Sequence, residues 1–234
     1  MSSMITSLYN IARNTYLNLK PHQTSDFEKY WAKRKYGRDW NGRQKGLFDG
    51  YWRSINHPHR LLLFDVIERT NPYLVLEVGC NCGVNLYGLS KRNRNMECFG
   101  IDLNKDAVRY GREALERERM NNVHLYKGNA DKFKLFEVTE FDTIFTDACL
   151  IYIGDDKIDK VMGQLTQNSR RLVLLERHIT SGRDGAVYMD GLWYRDYMML
   201  IKKYWPNAKV NFTPITKEIW PEWSNGGYII EAIE

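Results

Sequence analysis

Leu74-Val75-Leu76-Glu77-Val78-Gly79-Cys80-Asn81-Cys82-Gly83-Val84 is the stretch that decides the fold. Its first five residues have the length and apolar content of a buried strand, ended by an acid and a tight Gly-x-Asn-x-Gly turn that opens a helix. In an open α/β sheet, ligands bind beyond the carboxyl ends of the strands, near the point where strand order reverses. Gly79 and Gly83 let the backbone turn sharply there and approach a ligand closely.

The same strand–turn–helix introduces nicotinamide and flavin sites, whose fingerprint is Gly-x-Gly-x-x-Gly. Here the second glycine position is Asn81 and the third is Val84. Side chains at both places hinder a pyrophosphate, whereas a nucleoside without phosphates tolerates Asn81.

Outward from this stretch, short apolar runs alternate with amphipathic segments. Strands are expected at Leu74–Val78, Cys98–Ile101, Val123–Tyr126, Thr143–Phe145 and Leu172–Leu175. Helices are expected near Val84–Lys91, Lys105–Met120 and Lys157–Thr166. The alternation predicts a mostly parallel sheet with helices on both faces. After a helix over Trp193–Tyr204, two strands at Lys209–Thr213 and Tyr228–Ile233 leave no room for a crossover helix, so they pair antiparallel. Residues 1–72 form a helical extension or lid, and residues 73–234 the α/β domain. Within the extension, Ile5, Leu8, Ile11 and Ala12 fall at helical spacing. His57-Pro58 starts a further helix, where proline suits the first turn.

Three more elements follow the turn in order. Phe99-Gly100-Ile101-Asp102-Leu103-Asn104 puts a carboxylate at the end of the next strand, where it can accept both hydroxyls of a ribose. Asn104 suits the N-cap of the following helix. Gly128-Asn129-Ala130-Asp131 offers a side-chain acceptor for an adenine amino group and amides for the ring nitrogens. Phe141-Asp142-Thr143-Ile144-Phe145-Thr146-Asp147-Ala148-Cys149 is a strand with a polar end at Thr146-Asp147.

Together these four elements resemble the class I S-adenosylmethionine-dependent methyltransferase family, from roughly Leu74 to Glu176. The resemblance implies a Rossmann-like, seven-stranded, mostly parallel sheet whose last strand runs antiparallel. It implies that Glu77, Gly79, Cys80, Asn81 and Gly83 wrap the methionine and ribose of the methyl donor. Asp102 and Leu103 would then hold ribose and adenine, Asn129, Ala130 and Asp131 flank the base, and Thr146 and Asp147 close the site. The run Thr146–Ile153 looks like a small-molecule branch that includes methylases of sugar biosynthesis. Those proteins often carry a histidine where this chain has Tyr152, which puts a shared substrate or base in doubt.

The remaining features bound the acceptor. The first 60 residues carry eleven basic against four acidic side chains within a net charge of +5; this reads either as a solvated helical face or as a basic lid that could attract an anionic or sugar-like small molecule. That basic stretch also keeps an RNA or protein acceptor open. No Asp/Asn-Pro-Pro-Tyr run follows the fourth strand, which argues against DNA bases, and no ligand cluster suggests a metal. No apolar run reaches the ~20 residues of a membrane span. Four cysteines without metal spacing fit reduced thiols in a cytoplasmic protein. His178, after the fifth strand, is the first candidate for a catalytic base, with Asp147 and Tyr152 as further catalytic candidates. His57 and His59 are expected in structural or capping roles; Arg60 is a candidate to pair with the donor carboxylate, and Trp193 and Tyr194 are candidates for the substrate wall against the commoner core role of aromatics at helical spacing. A catalytically silent binding protein and a nicotinamide oxidoreductase are the competing readings.

Overall fold

The computed structural model describes residues 24–34, 36–38, 44–132, 140–180, 186–189 and 191–234. Within it, α1 (Thr24–Lys33) is followed by a small antiparallel pair, β1 (Tyr36–Arg38) and β2 (Gln44–Gly46), then α2 (Leu47–Arg53) and α3 (Pro58–Glu68). The α/β rhythm then runs β3 (Leu74–Val78), α4 (Val84–Arg92), β4 (Glu97–Asp102), α5 (Lys105–Arg117), β5 (Val123–Lys127), β6 (Thr143–Asp147), α6 (Ile158–Gln167) and β7 (Arg171–Arg177). A hairpin of β8 (Ala186–Met189) and β9 (Leu192–Arg195) comes next. It leads into α7 (Tyr197–Tyr204), β10 (Lys209–Pro214) and β11 (Gly227–Ile233).

Seven strands form the main sheet in the order β10-β11-β7-β6-β3-β4-β5. The pairs from β5 through β7 are parallel, and β11 lies antiparallel between β7 and β10. Strand order reverses between β3 and β6, so the crevice opens at the carboxyl ends of those two strands. The period-2 alternation of β3 sends Val75 toward the core shared with α3 and α4, and Leu76 and Val78 toward the core shared with α6 and α7.

The expected strands and most helices stand within a few residues of their sequence positions, and the antiparallel end of the sheet is as anticipated. Two elements differ. The helix expected from Trp193 begins only at Tyr197, where Asp196 caps it by accepting from Met199 N at 3.1 Å. Leu192–Arg195 pairs instead with Ala186–Met189 through a turn holding Gly191 at φ 78°. Aromatic residues at consecutive positions favour the extended partner once the cap fixes where the helix starts. The extension, read as helices and loops, contains the β1–β2 pair. The helix expected over residues 5–12 lies outside the described residues.

Helix α3 is locked to the sheet at its carboxyl end. Buried Arg171 of β7 pairs with Glu231 of β11 at 2.6 Å and donates to the carbonyls of Val66 (2.6 Å) and Ile67 (2.9 Å) and to Thr70 Oγ1 (2.9 Å). Carbonyls at the end of a helix lack intrahelical partners, and a guanidinium fork supplies them. Removing it leaves those carbonyls unpaired in the interior and Glu231 with the longer contact to Arg69, 3.8 Å from its Oε2. Arg171→Met should therefore cost about 3–5 kcal/mol in urea unfolding. A loss below about 1 kcal/mol would show that the clamp is dispensable.

Candidate active site

The turn after β3 is built on left-handed backbone. Gly79 (φ 80°), Asn81 (φ 51°) and Gly83 (φ 77°) all lie there, and the amides of Gly79 and Cys80 donate to Ile101 O at 2.9 and 3.0 Å. A Cβ on Gly79 would run into the Cys149 thiol. Asp102, at the end of β4, accepts from Asn81 N through Oδ2 and from Asn104 N through Oδ1, both at 2.8 Å. Asn104 in turn caps α5 and donates from Nδ2 to the Trp31 and Arg34 carbonyls of the overlying segment, each at 2.8 Å.

A second turn follows β6. Buried Glu176 of β7 accepts from Thr146 Oγ1 (2.7 Å), Cys149 N (3.0 Å), Leu150 N (2.9 Å) and Ile151 N (3.2 Å). This gathers the chain into a short 3-10 turn at Leu150–Tyr152 and holds Ala148 at φ 55°. Burial pushes the Glu176 carboxyl up to about 7, against the pull of those four hydrogen bonds. Glu176 escaped the sequence reading. Its only signal is an acid directly after the apolar run Leu172–Leu175.

Between the two turns lies a cavity of about 440 Å³, a size usual for small-molecule sites. Its floor is a polar cluster around Asn85 of α4. Asn85 Nδ2 donates to Glu77 Oε1 at 2.7 Å and to Asp147 Oδ2 at 3.0 Å, while its Oδ1 accepts from Arg60. Arg60 also reaches Asp147 Oδ2 at 3.0 Å, and His59 Nε2 lies 3.4 Å from the same oxygen. Burial raises the Asp147 carboxyl, but His59, Arg60 and Asn85 outweigh it and hold the group well below the usual carboxylate range. Glu77 goes the other way. Burial drives its carboxyl up to about 8, with the Asn85 bond opposing and Asp147 adding to the rise. Helix α1 roofs the cavity with Phe27 and Trp31, fastened where Glu28 Oε1 accepts from Lys157 (2.6 Å) and Asn129 (3.0 Å). Trp220 and Trp223, stacked at 4.7 Å, close one side.

Of the residues expected from sequence, Glu77, Gly79, Cys80, Asn81, Asp102, Leu103, Asn129, Ala130, Asp147 and Tyr152 line this cavity. Four stand elsewhere. Thr146 is absorbed by Glu176, and Gly83 caps α4 with its Cα toward Leu125. Asp131 is buried against Lys160 at 3.1 Å. His178 sits in a separate small cavity with Asp196, packed on Phe212 at 4.5 Å, its Nδ1 3.1 Å from Arg195 O. Strand β7 overruns its expected end by two residues and carries His178 past the crevice. Arg60 is engaged by Asp147 and Asn85, and Trp193 and Tyr194 are buried outside the cavity. Tyr152 packs against Phe27 and Trp31 at 5.5 and 5.0 Å, its hydroxyl raised by burial. All four cysteines are free thiols, and among the described residues no helix is long and apolar enough to cross a membrane.

The comparisons with known proteins agree with this geometry. Residues 75–170 match the family model of a methyltransferase domain. An uncharacterized protein of Haemophilus influenzae is 26% identical over 147 residues, 62% of this chain and 54% of that protein. The chain thus spans about half the length of that curated relative. Among solved structures, an O-methyltransferase family protein from Burkholderia thailandensis superposes over 100% of this chain and 70% of its own, with a TM-score of 0.65 at 12% identity. A phosphoethanolamine N-methyltransferase of Haemonchus contortus, solved with phosphomonomethylethanolamine and S-adenosylhomocysteine, covers 80% of this chain and 57% of its own (TM-score 0.62, 13% identity). The [4+2]-cyclase SpnF covers 75% and 81% respectively (TM-score 0.58, 15% identity).

The raised Glu77 carboxyl has a measurable consequence. Between its ordinary 4.5 and about 8, the folded chain holds a proton that the unfolded chain has released. Folded stability therefore falls as pH rises through that window, and the penalty is complete above it. Glu77→Gln, which can keep the Asn85 bond, should raise the melting temperature at pH 9 and leave it near wild type at pH 4.5. An equal change at both values would place the ionisation elsewhere. The chain thus has the fold of the class I S-adenosylmethionine-dependent enzymes, and its residues 75–170 match a methyltransferase domain.

Proposed function

We propose that this chain is an S-adenosylmethionine-dependent methyltransferase acting on a small-molecule acceptor. The observation that carries the reading is a set of polar groups left open around the crevice. Glu77 Oε2 and Asn81 Oδ1 are buried without a hydrogen-bond partner, and both residues line the cavity beside the partly exposed carboxylate of Asp102. Buried polar atoms are normally satisfied, so an orphaned pair at a strand edge marks where a ligand supplies the missing partners.

The donor set fits this methyl donor. Glu77 suits an α-ammonium, Asp102 suits a ribose diol, and Leu103 and Ala130 offer apolar flanks for a base. Asn81 stands where a dinucleotide needs glycine. Bound there, S-adenosylmethionine supplies a methyl group already activated on a sulfonium, so transfer needs chiefly alignment with the acceptor. The chain's own contribution is to orient and to exclude water. Arg60 and Asn85 hold Asp147 and Glu77 in place, and α1 covers the crevice through Phe27 and Trp31. That roof and the Trp220–Trp223 wall support an acceptor small enough to be enclosed.

Calorimetry tests the reading. S-Adenosylhomocysteine should bind, and Asp102→Ala should weaken it by about 10–100-fold, the loss of ~1.5–3 kcal/mol from charged hydrogen bonds. The same affinity in the variant would show that the ribose is held elsewhere. At pH 6.5 the free ligand's α-amine is already protonated, since such groups titrate near ~7.7–8. Binding should then release a proton as Glu77 ionises against it, seen as a heat that varies with buffer ionisation enthalpy. Glu77→Gln should abolish that dependence; its persistence would separate Glu77 from the ammonium.

A further inference from the structure

The open polar groups of the crevice sort by sign. At the ends of β3 and β4 they are acceptors: the orphaned Glu77 Oε2 and Asn81 Oδ1, and the Asp102 carboxylate. Under the roof and past the end of β6 they are donors. Trp31 Nε1 is buried without a partner, and an indole N–H can only donate. Tyr51 of α2 and Tyr152 of the turn after β6 line the same cavity. Among the described residues neither hydroxyl has a hydrogen-bond partner. The Trp31 and Tyr152 rings lie 5.0 Å apart, and the Arg34 guanidinium stands over Trp31 at 4.7 Å.

We propose that Trp31 Nε1, Tyr51 Oη and Tyr152 Oη, backed by the charge of Arg34, form an oxyanion subsite that anchors the methyl acceptor by a carboxylate or phosphate group. This rests on the methyltransferase reading above.

The chemistry of the donors selects the ligand. A guanidinium and an indole N–H have no lone pair to offer, so the group they meet must accept. A neutral carbonyl would satisfy the indole and leave the positive charge unanswered. An oxyanion answers both, and charged hydrogen bonds are the stronger kind. Burial raises both phenols, and at each Arg34 is the charge that most opposes the rise. Both therefore keep their protons at neutral pH and donate. The nearby acids are committed elsewhere: Asp147 to Arg60 and Asn85, Glu176 to four donors of its own turn, and Glu28 to Lys157 and Asn129. Among the described residues Arg34 pairs with no carboxylate; it rests on the Tyr30 and Trp31 rings, at 5.0 and 4.7 Å.

Position assigns the subsite to the acceptor. A nucleoside laid on Glu77, Asp102 and Ala130 runs along the ends of β3, β4 and β5. Strand β6 lies on the other side of β3, and Tyr152 belongs to the turn that follows it. Tyr51 faces the same half, since the carboxylate its hydroxyl feels is Asp147 at the end of β6. Each donor is also held from behind. Asn104 Nδ2 fixes the carbonyls of Trp31 and Arg34, each at 2.8 Å. Ser54 Oγ donates to Tyr51 O at 2.7 Å and accepts from Arg60 Nε at 3.3 Å, while Glu176 gathers the turn that carries Tyr152. Donors fixed before the ligand arrives lose little freedom on binding it.

Calorimetry on the full chain, saturated with S-adenosylhomocysteine, tests the subsite with benzoate, phenyl phosphate and neutral benzamide. One of the two anions should bind at least about 10-fold more tightly than benzamide, and the tighter anion identifies the group. Tyr51→Phe and Tyr152→Phe keep the rings and remove one hydroxyl each. Each should weaken the anion by about 10–100-fold while the affinities for benzamide and S-adenosylhomocysteine change little. Arg34→Gln should act in the same direction. Benzamide binding as well as both anions, no binding of either anion, or an unchanged anion affinity in either tyrosine variant overturns the proposal. An equal loss of S-adenosylhomocysteine affinity in the variants overturns it too, by giving these donors to the carboxylate of the methyl donor. Failure of the wild-type chain to bind S-adenosylhomocysteine would instead remove the methyltransferase reading, and the same titration on the chain alone would then judge the anion subsite by itself.

Discussion

The crevice depends on one carboxylate. Asp102 ends β4 and spends a hydrogen bond from each oxygen on the neighbouring backbone, at Asn81 and at Asn104. The first bond fixes a left-handed turn that only a residue without Cβ can enter at Gly79, because Cys149 of the next turn fills the space. The second fixes the residue that caps α5 and holds the overlying α1 segment. One group thus aligns the β3 turn, the β4 end and the roof. Each oxygen keeps a lone pair for a ligand.

Helix α3 is fixed at both ends in a way that matters for chemistry. Arg171 grips its last carbonyls, and at its start Arg60 and His59 reach the Asp147 carboxylate. A helix held so firmly delivers its side chains to the floor of the crevice with little freedom, which is what alignment requires. The same floor keeps two acids in opposite states. Asp147, surrounded by Arg60, His59 and Asn85, is an anion, whereas Glu77 meets only an amide and stays protonated near neutral pH. The ionised acid is committed to the protein, and the neutral one is free to respond to a cationic ligand.

Much of this was legible in the sequence because it is local. The strand, turn and helix of Leu74–Val84 are set by glycines and apolar spacing within eleven residues, and Asp102 and Asn104 announce a strand end and a cap in the same way. The distance between motifs along the chain also told which residues share an edge. What escaped was non-local. Thr146 ends the right strand, but its hydroxyl is claimed by Glu176 from thirty residues on. His178 follows the right strand, but β7 runs on to Arg177 and carries it to the far side of the sheet end. His57 and His59 read as capping residues because nothing in their neighbourhood reveals Asp147, almost ninety residues later. Trp193–Arg195 reads as helix because it runs straight into the helical spacing of Tyr197–Tyr204, although its hairpin partner Ala186–Met189 lies only a two-residue turn away.

The central claim is that the crevice at the carboxyl ends of β3 and β6 grips a phosphate-free nucleoside through Asp102 of β4 and Glu77 of β3. A crystal structure of the chain with S-adenosylhomocysteine tests it most directly. The account predicts the ribose hydroxyls within hydrogen-bond distance of the Asp102 carboxylate and the α-amino group at Glu77 Oε2. A ligand lying elsewhere, or a crevice in which Asp102 makes only its two backbone contacts, would contradict it.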